Sequence, residues 1–179
     1  ACATSGGVQA LRNATGKHDE FVRTVYPTPE YVRSLEDSHP ISDYVTVDLQ
    51  LTGCPVDRGQ LLGAIGSLLS GAMPRVSDSP VCVECKRRGF VCVVVAKGEP
   101  CLGPVTRTGC GALCPGFGRG CYGCFGPAQP SNNTDALGRR FIELGLTEKD
   151  AADRFRFITG WAPPFREAAD ALEREEAAP

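Results

Sequence analysis

Ten cysteines carry the chemistry that this sequence can be read for. Eight of them fall within 43 residues and divide into two sets, Cys82-x2-Cys85-x6-Cys92-x8-Cys101 and Cys110-x3-Cys114-x6-Cys121-x2-Cys124. Each set has one tight pair, whose two thiolates can converge on one centre, and two outlying residues that can approach it from other directions. Cys2 and Cys54 stand apart. Zinc would accept the eight thiolates as two tetrahedral sites, although its familiar pattern is two tight pairs per site. Disulfides reach this density in short secreted chains, where bridges replace a core that 179 residues are enough to build. Four-iron cubanes suit the irregular spacing best, because each iron needs a thiolate from its own side. Nine of the 21 glycines lie between Gly98 and Gly126, where bare backbone could approach an anionic cluster and aim N–H groups at it.

The elements that must position these thiols read as α/β. Residues 1–75 contain the helix-like "GGVQALRNATG", a proline-punctuated loop, and a strand-like segment in which Val45, Val47, Leu49 and Leu51 alternate with polar residues up to Gly53. Next comes "DRGQLLGAIGSLLSG", with Leu61, Leu62, Ile65, Leu68 and Leu69 at helical spacing. Strand, turn and helix would make a partial flavodoxin-like parallel-sheet domain, with its ligand edge at the turn. Cys54 lies in that turn, at a helix N-terminus that favours negative charge, and Cys2 would occupy a similar place. A buried free thiol is the plainer reading of Cys54.

Residues 76–130 lose all periodicity and read as an irregular two-cluster iron-sulfur domain with short helices, a stretch that cannot order itself by apolar burial and needs a bound group to do so. Residues 131–179 read as a helical tail: "DALGRRFIELG", "TEKDAADRFRFITG", and a last helix beginning at Pro163 and Pro164 and ending in charge. These helices are expected to pack against the cluster region or a neighbouring subunit.

Composition removes several classes of function. Nineteen Lys and Arg against 21 Asp and Glu leave a net charge of -2, so no basic field points to nucleic acid. No apolar run is long enough to cross a bilayer. The sequence opens on Ala1, has its only methionine at Met73 and lacks a signal-like start, which predicts that it begins inside a longer protein. His18 and His39 fall in polar loops and are expected at the surface. Lys86 to Gly89 reads as a solvated charge run, and Trp161 as a packing anchor rather than an electron relay. No catalytic residue is assigned.

"TGCPVDRGQLLGAI", "PVCVECKRRGFVC", "GEPCLGPVTRTGC" and "GRGCYGC" resemble, in order, the cluster-binding motifs of the small subunit of nickel-iron hydrogenases. The likeness is to the cytoplasmic, cofactor-coupled kind, the delta subunit of sulfhydrogenase, and runs from Ala1 to about Pro127. The resemblance implies an electron wire of three 4Fe-4S clusters. Cys2 and Cys54 would be two ligands of a proximal cluster facing the large subunit. The tight pair that supplies the other two in that family is absent from this sequence. Cys82, Cys85, Cys92 and Cys101 would hold the distal cluster, with Cys82 where many relatives carry histidine. Cys110, Cys114, Cys121 and Cys124 would hold the medial one, with Cys114 completing four-iron ligation where relatives with three irons carry proline. In the distal set, all-thiolate ligation would lower the potential relative to a histidine-ligated centre. The implied partners are a nickel-iron large subunit and a flavin- or nicotinamide-binding electron-transfer subunit, without nucleic acid or membrane, in the cytoplasm.

Two rival readings stand beside this one. A zinc-stabilised module could use "CVECKRRGFVC" as a basic knuckle against nucleic acid or protein, although basic residues interleaved with aromatics are lacking. A cluster subunit of the NADH dehydrogenase type would share the α/β fold but would need neighbouring cysteines near the start, and would not need the eight downstream.

Overall fold

The computed structural model describes residues 1–129 and 133–176. Its α-helices are α1 (Cys2–Ser5), α2 (Leu11–Thr15), α3 (His18–Val25), α4 (Arg58–Leu69), α5 (Val81–Arg87), α6 (Val93–Lys97), α7 (Leu113–Gly116), α8 (Thr134–Glu143), α9 (Glu148–Arg156) and α10 (Pro163–Glu176). Three short 3-10 turns complete the regular structure.

The expected flavodoxin-like parallel sheet is not there. Among the described residues there is no β-ladder, and the extended pairings are isolated bridges at Gly53 and Val56, Pro80 and Arg107, and Thr106 and Pro127. The alternating segment that ends at Gly53 runs as irregular chain, with Val45 55% and Val47 36% exposed. Alternation only makes a strand competent to bury one face. Neighbours must also pair its N–H and C=O groups, and among the described residues none lies alongside.

The helix expected after Cys54 does form. Asp57 caps α4 by accepting the Gln60 N–H at 2.8 Å. It turns its small side inward, where Ala64 is buried, and leaves Leu61, Leu62, Ile65, Leu68 and Leu69 exposed. The rest of the first 56 residues is tied by polar contacts. The Ala1 nitrogen donates to Gly53 O at 2.9 Å, and Asn13 exchanges two hydrogen bonds with the Ser38 backbone, at 2.8 and 2.9 Å.

The core lies in the second half. Phe141 on α8, Phe155 on α9 and Phe165 on α10 are fully buried and meet in sequence as tilted pairs, with centroids 5.8 and 6.0 Å apart. They pack with Val81, Val93, Leu102 and Val105 from the cysteine-rich segment. The tail helices therefore cover the cysteine region, as expected. The apolar residues of the cysteine region are buried in one core with those of the tail, which supplies the large side chains that the region lacks. Thr147 caps α9 by accepting the Asp150 N–H at 3.1 Å, and Asn133 caps α8 by accepting the Ala136 N–H at 3.2 Å. Arg156, only 10% exposed, clamps α9 to α10 by pairing with Asp170 and Glu173, each at 2.7 Å.

Trp161 is half-buried between the halves. His39 meets it edge-on at 5.8 Å, and the Arg166 guanidinium sits 4.7 Å from its ring centroid. His39 itself lies between Asp37 and Asp43, each at 3.1 Å, and is 27% exposed.

Candidate metal centre

All ten cysteines are free thiols, so the disulfide alternative finds no support in the structure. The first set is built on α5, α6 and the turn that follows. Pro80 starts α5, and the Val81 N–H donates to Thr106 O at 2.9 Å, which fixes the helix carrying Cys82 and Cys85 against the later loop. Cys92 stands at the N-cap of α6 and is exposed, whereas Cys101 is buried. The Cys82 thiol is pushed up to about 11, by burial first and then by the neighbouring sulfurs of Cys101, Cys85 and Cys92. Cys85 is raised by burial and by Cys92. Burial raises Cys101 as well, against the opposing pull of N–H groups from Cys121 and Gly103, which donate to its sulfur at 3.1 and 3.4 Å. The four thiols expected to act together are thus within electrostatic reach of one another.

Gly103 explains part of that geometry. A Cβ built on it would stand 3.2 Å from the Cys101 sulfur and 3.6 Å from that of Cys82, so the glycine keeps the space beside the thiols clear.

Three members of the second set gather closely. Burial and then Cys110 raise Cys114. Cys124 is pushed up to about 11 by burial, then by Cys110, with Cys114 and Cys54 adding to the rise and the Cys54 backbone N–H opposing it. Cys121 sits at the boundary: burial drives its thiol up to about 12, the Gly123 N–H pulls it down, and the sulfurs it feels are those of Cys101 and Cys124. Cys2 and Cys54 are exposed, and the Ala1 to Gly53 hydrogen bond sets their backbones side by side.

What could such thiols hold? A buried group of like-charged thiolates needs a cationic centre to be stable, since burial and mutual repulsion otherwise keep the protons on. Among the described residues no three His, Cys, Asp or Glu side chains close on a point as one ion requires. The thiols within each set raise one another's pKa, so a centre that takes several thiolates at once is what they could hold.

One residue in this arrangement carries no signal in the sequence. Glu84 lies between Cys82 and Cys85, and its carboxylate accepts the Gly109 and Ala112 N–H groups at 3.4 and 3.2 Å. Its partners are backbone amides far along the chain, and spacing does not register them. The histidines take no part: His18 contacts Ser34, and His39 is engaged by Asp37 and Asp43. Lys86 to Gly89 is exposed.

Residues 1–68 match the family described as NADH ubiquinone oxidoreductase, 20 Kd subunit. Most of the chain is similar to hydrogenase subunits. It is 37% identical over 160 residues to sulfhydrogenase 2 subunit delta of Pyrococcus furiosus, an alignment covering 89% of this chain and 65% of the relative. To a vhu subunit of the F420-non-reducing hydrogenase of Methanocaldococcus jannaschii it is 33% identical over 158 residues, covering 73% of this chain and 54% of the relative. To an iron-sulfur subunit of the F420-non-reducing hydrogenase of Archaeoglobus profundus it is 30% identical, covering 82% and 54%. The chain spans between about half and two thirds of the length of these relatives.

Proposed function

From its homology to hydrogenase subunits over most of its length, we propose that this chain is the electron-transfer subunit of a nickel-iron hydrogenase. It relays electrons between a large-subunit active site and a flavin- or nicotinamide-dependent subunit, with no catalytic residue of its own. In this reading Cys82, Cys85, Cys92 and Cys101 hold one 4Fe-4S cluster and Cys110, Cys114, Cys121 and Cys124 a second. Cys2 and Cys54 contribute to a third. Each cluster, when bound, supplies reversible one-electron storage at low potential.

The observation that carries the reading is the serial contact between the three thiol groups. The Cys54 amide lies beside the Cys124 sulfur, and the Cys121 amide donates to the Cys101 sulfur at 3.1 Å. Backbone amides directed at sulfur also tune potential, and the burial of Cys101 and Cys121 keeps water from the middle of the series. The exposed Cys2 and Cys54 mark one end, which we assign to the large subunit. Exposed Cys92 marks the other, assigned to the cofactor-reducing partner. We assign the complex to the cytoplasm; no helix among the described residues is long and apolar enough to cross a membrane.

The match of residues 1–68 favours a second reading, a cluster subunit of an NADH dehydrogenase-type complex. That reading leaves the eight downstream cysteines without a task. An anaerobic visible spectrum with iron and zinc analysis tests the proposal. A brown protein with about eight irons, two four-iron centres, supports the wire. A colourless protein with about two zinc ions would sink it.

A further inference from the structure

We propose that Glu84 is a positioning residue that locks the Cys110 loop onto the helix bearing Cys82 and Cys85, and that its charge lowers the potential of the clusters it separates. The inference rests on the reading of the two cysteine sets as cluster ligands. Glu84 belongs to α5, inside the tight pair of the first set. Its carboxylate reaches the second set, where the two N–H groups it accepts, from Gly109 and Ala112 at 3.4 and 3.2 Å, bracket Cys110. One anion thus holds backbone on both sides of a candidate ligand while sharing a helical turn with two others.

The loop needs such a hold. Ala112 is fully buried and left-handed at φ 53, the one non-glycine residue in that region among the described residues. Alanine rarely rests there unless its surroundings impose it. Its N–H goes to Glu84, and its carbonyl accepts the Gly116 N–H at 3.0 Å as α7 begins. At the C-cap of α5, the Arg88 guanidinium lies beside Gly111, where an added Cβ would come 2.7 Å from Nη2. Glu84 therefore holds Gly109 and Ala112 while Arg88 packs beside Gly111 between them, and this hold sets where the Cys110 sulfur points.

Charge gives the second consequence. A carboxylate beside a redox centre disfavours the added electron, so its removal raises the midpoint potential. Glu84→Gln keeps an acceptor for the loop and removes the charge; Glu84→Ala removes both. The test compares the full chain, cluster-loaded, in redox titrations followed by electron paramagnetic resonance, and metal-free in amide hydrogen exchange. Glu84→Gln is expected to retain wild-type iron and shift the midpoint upward. Glu84→Ala is expected to lose exchange protection at Gly109 and Ala112 and to lose iron from the second set. An unshifted midpoint in Glu84→Gln, or wild-type protection of both amides in Glu84→Ala, overturns the proposal. A wild-type chain without iron would instead overturn the cluster reading, and the exchange comparison would still decide whether Glu84 holds the loop.

Discussion

Before residue 75 the buried hydrophobic side chains are Ala10 and Ala64, while Phe21, Tyr31, Leu35, Tyr44, Leu62 and Leu69 stand exposed. From Val81 to Leu172 the balance reverses, and Phe141, Phe155 and Phe165 are sealed against the valines and leucines around the cysteines. The first region is held by polar contacts such as Asn13 to Ser38, each of which contributes only about 0.5–1.5 kcal/mol net. In the second, each buried phenylalanine removes a large apolar area from water. The difference teaches where rigidity is needed. The eight thiols proposed to hold two clusters sit on the packed region, while the lone pair, Cys2 and Cys54, sits on the loosely packed one.

The strongest way to break that contrast is at the buried joint between the two sets. Cys101→Ser is expected to cost about four of about eight irons, one cluster's complement, and to bleach the visible spectrum accordingly. Cys2→Ser should leave both sets loaded, as iron analysis would show. Next in size is Phe155→Ala, expected to destabilise the chain by about 3–5 kcal/mol in denaturant titration. Leu62→Ala on the exposed face of α4 should change it by less than about 0.5 kcal/mol. Equal losses from these two would erase the distinction between the regions.

Arg156→Ala removes the clamp between α9 and α10 and should cost about 1.5–3 kcal/mol in the same titration, because its hydrogen bonds are charged and its guanidinium is mostly covered. Asn13→Ala should cost about 1 kcal/mol and act locally, accelerating amide exchange and proteolysis within the first 50 residues while leaving the second region protected.

The metal-free protein supplies a gentler probe. Folding raises Cys121 from 9.0 to about 12, and Cys82 and Cys124 to about 11. The folded chain holds these protons more tightly than the unfolded one, so the stability they contribute is complete below pH 9 and drains away as pH climbs toward 12. Thermal melts of metal-free protein should therefore fall from about pH 9 upward. A loaded protein, with its thiols already deprotonated at metal, should lose less over the same window.

Much of this could be read in the residues themselves. The two cysteine sets are written in spacing, and the helices α4, α8, α9 and α10 in apolar periodicity, because those signals are local and act through neighbours within a turn or two. The alternation from Val45 to Leu51 forms no sheet, since it states what a strand could bury but not whether another strand is there to bond it.

What the sequence determined alone is therefore the inventory: ten thiols, their grouping by four, and the glycines that let backbone come close to them. Tertiary structure decided how the groups meet, placing Cys121 against Cys101, setting Glu84 across the Cys110 loop, and closing three tail phenylalanines over the cysteine segment. Those contacts join positions 20 or more residues apart, and their energy comes from burial and from backbone amides that every residue but proline carries, so no residue type announces them.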